Sequence, residues 1–292
     1  MSPEGFITLV FAGSFAAGCL GALTGLGGGV VVVPMLILGF GIDPRYAVGA
    51  SLIAVIATSC GSAPSYLRRG LVNTRVAVIL ELATVLGALG GAFLAGLLEP
   101  RVIVLIFCAV LFYSAWSSLR APTTTTTSAP KPTSPPDDGG TPIETLADRL
   151  GLASTAPGPS GPEPYRVHRV IPAFGVMTLA GMISALTGVG GGVVKVLAMD
   201  RLMRMPFRAS TATSNLMIGV TASASAGVYL ARGQVAPDLA APVALGALAG
   251  SVLGARLLAR IRTRTLRVVF ALTVAASGVQ LLLKALRGEI AP

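Results

Sequence analysis

Apolar residues fall into eight blocks, 5–38, 46–66, 76–98, 101–119, 170–199, 209–230, 239–259 and 265–283. A helix needs about 20 apolar residues to cross the hydrocarbon core of a bilayer. The pattern therefore predicts an all-α polytopic membrane protein. The short alternating strands of an outer-membrane barrel are missing from it. Two blocks are interrupted midway, by Thr24-Gly25-Leu26-Gly27-Gly28-Gly29 and by Thr187-Gly188-Val189-Gly190-Gly191-Gly192. Four glycines in five residues do not hold a straight helix. Each of these blocks reads as a helix, a break and a second short helix. If the chain turns back at the break, the block is a re-entrant hairpin.

The two breaks belong to an internal repeat. Ala22–Val31 recurs as Ala185–Val194 with one change, 163 residues on. At the same offset Arg45 meets Arg208, Ser51 meets Ser214, Tyr66 meets Tyr229, Arg69 meets Arg232 and Phe107 meets Phe270. Gly87-Ala-Leu-x-Gly91 matches Gly246-Ala-Leu-x-Gly250 if four residues are deleted between them. These glycines, with Gly254, read as close helix-packing positions. The expected domains are a first transmembrane repeat, 1–120, and a second, 166–292. Residues 121–165 between them hold half of the chain's 20 prolines and the run Thr123–Thr127. Such a composition does not bury enough apolar surface to fold, so a disordered linker is expected. Within it, Ile143–Leu152 has the pattern of a short amphipathic helix.

Loop charges then orient the halves. Arg68, Arg69 and Arg75 crowd one loop of the first half, whereas its counterpart in the second has only Arg232. The flanking loops reverse this, with Arg201, Arg204 and Arg208 on one side and Arg256, Arg260, Arg262, Arg264 and Arg267 on the other. The positive-inside rule places the halves upside down relative to each other. Inverted repeats require an odd number of crossings per half, which the re-entrant reading supplies as three. The linker is then cytoplasmic and both termini are external.

Composition removes several other classes. The chain has 292 residues, is 53% hydrophobic and only 12% charged, about half the charge of a soluble domain. Its net charge of +10 lies mostly in short inter-block loops, so no nucleic-acid partner is expected. Cys19, Cys60 and Cys108 are scattered through apolar blocks and His168 is the single histidine, so neither a metal nor a cofactor is expected. Gly25–Val30 fails the dinucleotide pattern at its sixth position, and no Gly-Lys-Ser/Thr follows it. Hydrolase and metalloprotease motifs are missing as well, so no enzymatic activity is expected. The start, Met-Ser-Pro-Glu, lacks the basic region of a signal peptide.

Non-helical backbone at membrane depth belongs where protein buries it or where it lines a polar cavity. Two breaks entering from opposite faces can meet near the midplane, with the short-helix N-termini turned toward a small anion. The candidate substrate-binding residues are Thr24, Gly25, Gly27, Gly28, Gly29, Thr187, Gly188, Gly190, Gly191 and Gly192 in the breaks. Ser51, Thr213, Ser214 and Asn215 join them from the helices that follow. Lys195, just past the second break, is an intramembrane cation and hence a candidate ligand; snorkelling to the inner surface is the alternative. Glu81 is a candidate coupling residue, or else pairs with Arg68, Arg69 or Arg75. Tyr66, Tyr113, Trp116 and Tyr229 read as interfacial anchors.

Together these features resemble the sulfite exporter TauE/SafE family of membrane permeases. The resemblance rests on both glycine breaks, Ala47-Val-Gly-Ala-Ser51, Ala212-Thr-Ser214 and Tyr66-Leu-Arg-Arg-Gly70 with its counterpart ending at Gly233. It covers both halves and omits the linker, which is longer than the family pattern implies. It implies a secondary transporter in the bacterial plasma membrane for a small anion, a sulfur oxyanion or an organosulfonate. The alternatives are an anion channel and a permease for a non-sulfur organic anion. The partners expected are the anion and the lipid bilayer, and a homodimer is one open state of assembly. Lys195 is not assigned by the family pattern.

Overall fold

The computed structural model describes residues 3–24, 27–120, 146–158, 161–257, 272, 275–284 and 287. Its first half contains α1 (Pro3–Thr24), α2 (Gly29–Pro34), α3 (Pro44–Arg68), α4 (Thr74–Ala95) and α5 (Pro100–Arg120). After α6 (Leu146–Arg149) and the strands β1 (Ser154–Gly158) and β2 (Gly161–Tyr165), the second half contains α7 (Val170–Thr187), α8 (Gly192–Leu197), α9 (Phe207–Ala231) and α10 (Pro237–Leu257). Both α2 and α8 run on into a π-helical turn, Met35–Gly39 and Ala198–Leu202. Among the described residues five helices, α1, α3, α4, α7 and α10, are long and apolar enough to cross a membrane. The chain is an all-α polytopic membrane protein.

The repeat is written into the element boundaries. From α2 to α4, each helix start recurs 163 residues on in α8 to α10, as do both π-turns. The two halves interleave: α1 packs against α10, α4 packs against α7, and α3 and α9 cross between them. These contacts also correct the alignment of the last helices. A Cβ on Gly87 would meet the Thr178 carbonyl and the Met182 amide, and one on Gly250 would meet the Phe15 carbonyl and the Cys19 amide. Those partners are themselves 163 residues apart. Gly91 against Met182 and Gly254 against Cys19 repeat the relation. Gly87 therefore corresponds to Gly250, and the four-residue deletion does not exist. The backbones approach this closely only because no side chain intervenes.

The linker reading also needs correction. Residues 121–145 lie outside the described residues, but the segment after them is folded. β1 and β2 pair antiparallel with Ser154 opposite Tyr165. Leu152 and Tyr165 are buried in a core cluster with Val76, Leu80, Met199 and Met203. The Asn73 side-chain amide donates to the Leu152 carbonyl and to the Tyr165 hydroxyl, both at 3.0 Å. The Arg75 guanidinium donates to the Gly151 carbonyl at 2.8 Å. The Pro-rich composition masked a few large apolar residues that dock on the α3–α4 loop. Burial pushes the Tyr165 phenol above its ordinary pKa.

Arg232, the lone basic residue of its loop, has a structural use. It donates to the Ala92 carbonyl at 2.6 Å and to the Phe93 carbonyl at 3.3 Å. It thereby closes the C-terminus of α4, where a cation also suits the helix dipole.

Candidate functional site

The first break turns the chain back on α1. A Cβ on Gly28 would lie 3.4 Å from the Ala17 carbonyl, so the residue that caps α2 sits beside the middle of α1. In the second half a Cβ on Gly191 would lie 2.7 Å from the Ala180 carbonyl, the equivalent place on α7. Gly27, Gly188, Gly190 and Gly191 adopt φ values of 79°, 69°, 84° and 65°. Only glycine enters that region without strain. Gly25 lies outside the described residues.

The two breaks touch. A Cβ on Gly29 would collide with the Gly188 carbonyl, and it would lie 2.7 Å from Ser51 Oγ. The Ser51 hydroxyl donates to the Gly188 carbonyl at 2.8 Å, tying α3 to the opposite break. Gly27 and Gly190 both face Val55 and Ile218, which are themselves repeat-equivalent and buried. Glycine backbone and these two aliphatic side chains thus form an apolar seal at the centre. Gly27 to Val30 and Thr187 to Gly192 are all buried.

Hydroxyls and amides flank the seal. Thr24 and Thr187 donate to the Leu20 and Ile183 carbonyls of their own helices, at 2.9 and 2.7 Å, in the common back-bonded arrangement. Ser214 donates to the Gly192 carbonyl at 3.4 Å. The Asn215 side-chain amide donates to Ser62 Oγ at 2.9 Å, and its backbone carbonyl accepts from Ser59 at 2.6 Å. Asn215 is fully buried, yet its Oδ1 has no hydrogen-bond partner. Thr213 is placed differently from its neighbours. Its hydroxyl accepts the Asn73 amide at 3.0 Å and so serves the start of α4.

A charged chain joins α4, α8 and α9. Lys195 is wholly buried and donates to Thr221 Oγ1, and Thr221 is 2.6 Å from Glu81 Oε1. Thr84 stands 3.3 Å from the same hydroxyl. Lys195 therefore does not snorkel, and Glu81 turns to Thr221 and Lys195. One hydroxyl joins α4, α8 and α9 here, and the Oε2 atom of Glu81 is buried with no partner.

The sequence reading missed Thr221, Thr84, Val55 and Ile218. Thr221 is the repeat partner of Thr58, a signal already present in the offset. Tyr66 and Tyr229 are not interfacial anchors. Both are 1% exposed, and they donate to the Ala22 and Ala185 carbonyls at 2.6 and 3.0 Å. Each tyrosine satisfies a carbonyl near the end of the helix that leads into a break. Tyr113 and Trp116 are exposed, as anchors would be.

Residues 10–281 match the profile of the family described as Sulfite exporter TauE/SafE. The chain belongs to the TauE/SafE family. It is 26% identical to a protein named probable membrane transporter protein YunE of Bacillus subtilis (strain 168), covering 95% of this chain and 97% of that one. It is 24% identical to a probable membrane transporter protein of Xylella fastidiosa (strain 9a5c), covering 89% and 87%. No solved structure matches the chain significantly. Family and relatives identify a multi-pass membrane transporter. In this family member the two glycine breaks are in contact, with a neutral polar cluster between α3 and α9 and a charged one between α4, α8 and α9.

Proposed function

We propose that the chain is a secondary transporter for a small anion, a sulfur oxyanion or an organosulfonate, bound where the two glycine breaks meet. The observation that carries the reading is the contact of Gly29 with the Gly188 carbonyl across the repeat. It puts two interrupted helices from homologous halves at one point, the arrangement on which alternating access depends. Ser51, Ser214 and Asn215 bring hydroxyls and an amide to the breaks, and Lys195 lies three residues past Gly192 on α8. Val55 and Ile218 close the path through it, which suits a carrier that opens one side at a time better than a standing pore. The halves lie inverted in the bacterial plasma membrane, with the segment after α5 in the cytoplasm and the termini outside. The family description supports a sulfur anion, and the donor set supports any small oxyanion.

The test is saturable flux in proteoliposomes with sulfite, thiosulfate, sulfonates and carboxylates. Saturable exchange of a sulfur anion, weakened by Gly191→Val and Ser214→Asp, is the expected result. A carboxylate at residue 214 would repel the substrate across a short, poorly screened distance. Unsaturable flux, or exchange of carboxylates alone, would overturn the reading.

A further inference from the structure

The charged chain exists at one of two repeat-related junctions: α4, α8 and α9 carry it, whereas α10, α2 and α3 do not. The repeat partners of Lys195, Glu81 and Thr84 are Val32, Ala244 and Ala247, whereas Thr221 keeps a threonine partner, Thr58. Acid and base are present together at one junction and missing together at the other. Thr58 bonds back to the Ala54 carbonyl at 2.8 Å, as Thr221 does to the Met217 carbonyl at 3.0 Å, but no charged side chain reaches it. Valine and alanine thus serve the same helix packing at the second junction, so the fold does not require the charges. A buried ion pair is seldom kept for stability alone, and intramembrane ionisable groups mark transport pathways.

We propose that Glu81 is a built-in anion that occupies Lys195 in the empty carrier, and that substrate replaces it when Glu81 takes up a proton. One proton and one anion then travel together. This inference rests on the anion-carrier reading above and names its coupling ion.

Charge balance supports it. The empty site holds one ammonium and one carboxylate. The loaded site holds the ammonium, the bound anion and a neutral carboxylic acid. For a monovalent anion both states are electroneutral. Anion without proton, or proton without anion, would carry an unbalanced charge through low-dielectric surroundings. The hydrogen bonds allow the change too. The proton arrives on Oε2, the buried oxygen with no partner. Oε1 stays an acceptor for the Thr221 hydroxyl. Thr221 has one proton, with Glu81 Oε1 at 2.6 Å and the Met217 carbonyl at 3.0 Å as its acceptors, and two lone pairs, one of which accepts from Lys195, so the contact survives in both states. Lys195 keeps its three protons throughout, and the anion takes the place of the carboxylate as its counter-charge.

No other charged group competes at this level among the described residues. Each of Glu81 and Lys195 has the other as its charged neighbour. α7, packed on α4, carries no titratable side chain between Arg169 and its C-terminus. α9 has only Arg208 and Tyr229, near its two ends, and the α8 arm carries Asp200 and Arg201 beyond Lys195. Arg75 lies at the start of α4.

The test uses the whole protein in proteoliposomes. Counterflow of sulfite, thiosulfate and methanesulfonate is measured first. An inward proton gradient is then imposed, with a trapped pH dye to count protons. The wild type is expected to take in one proton per anion. It should accumulate methanesulfonate about tenfold per pH unit, as a one-to-one electroneutral symport requires. Glu81→Gln keeps the shape and the Thr221 contact; it is expected to lose proton entry and gradient-driven accumulation, and any counterflow it shows becomes independent of pH. Wild-type counterflow without proton entry, or proton-driven accumulation by Glu81→Gln, would overturn the inference alone. No counterflow of any of the three anions by the wild type would overturn the anion reading and this inference with it. If Glu81→Gln does not fold, the wild-type proton count decides.

Discussion

Replacing Glu81 by glutamine leaves the Lys195 ammonium buried without a countercharge. Lys195 Nζ is 2.5 Å from Thr221 Oγ1 and Glu81 Oε1 is 2.6 Å from it, so the charges lie at most about 5 Å apart. At an effective dielectric constant of about 20, two unit charges about 5 Å apart attract by about 3 kcal/mol. That agrees with the low end of about 3–5 kcal/mol for removing one member of a buried pair. Glu81→Gln is expected to destabilise the protein by about 3 kcal/mol. Lys195→Met is expected to cost less, because Glu81 is only half-buried and relaxes more readily. The double variant removes both charges and is expected to regain most of the loss, as at the repeat-related junction, where Val32 and Ala244 stand in these places. The assay is a double-mutant cycle by equilibrium unfolding in detergent, followed by circular dichroism. A coupling energy of about 3 kcal/mol is expected; effects that add to within about 0.5 kcal/mol would refute the pairing.

Gly29→Ala is expected to cost about 1–3 kcal/mol by overpacking against Gly188 and Ser51. Gly90→Ala, with nothing near its Cβ, is expected to be neutral in the same unfolding assay. Deleting 123–145 is expected to leave flux intact, whereas Tyr165→Ala is expected to release the β1–β2 hairpin to proteolysis. The hairpin's docking should also follow pH. A raised phenol pKa means that the folded form holds the proton longer, so docking is complete below pH 10, the ordinary value, and weakens as pH climbs through the raised one. Cysteine labelling is expected to place the loop 232–238 outside and the segment 121–145 inside; labelling of both from one side would refute the inverted arrangement.

The breaks and the repeat were legible because glycine runs and a constant offset survive in sequence without any knowledge of contacts. Lys195 and Glu81 were legible singly, as charges in apolar blocks, but not as a pair. They sit on helices from different halves, and Thr221, which joins them, looks like any other helix hydroxyl. The false deletion arose from helix periodicity. Small residues recur every four positions at Ala83, Gly87 and Gly91, and at Gly246, Gly250 and Gly254, so a match one turn out of step looked equally good. Tyr66 and Tyr229 lie at block ends, where aromatic residues usually face the interface; their burial depends on the chain's return at the breaks. The folded part of the linker rests on a few side chains, Leu152 and Tyr165 foremost, whose docking partners are distant in sequence.

The central claim is that the contact between the breaks is the substrate site, opened alternately to either side. Single cysteines at residues 51 and 214, with Cys19, Cys60 and Cys108 replaced, test it most directly. A charged, membrane-impermeant thiol reagent is applied to proteoliposomes from outside and then from inside. The account predicts that both cysteines react from each side and that a transported anion protects both. Labelling of both positions with no protection by any transported anion would contradict it, as would exchange of that anion while both cysteines stay inaccessible from each side.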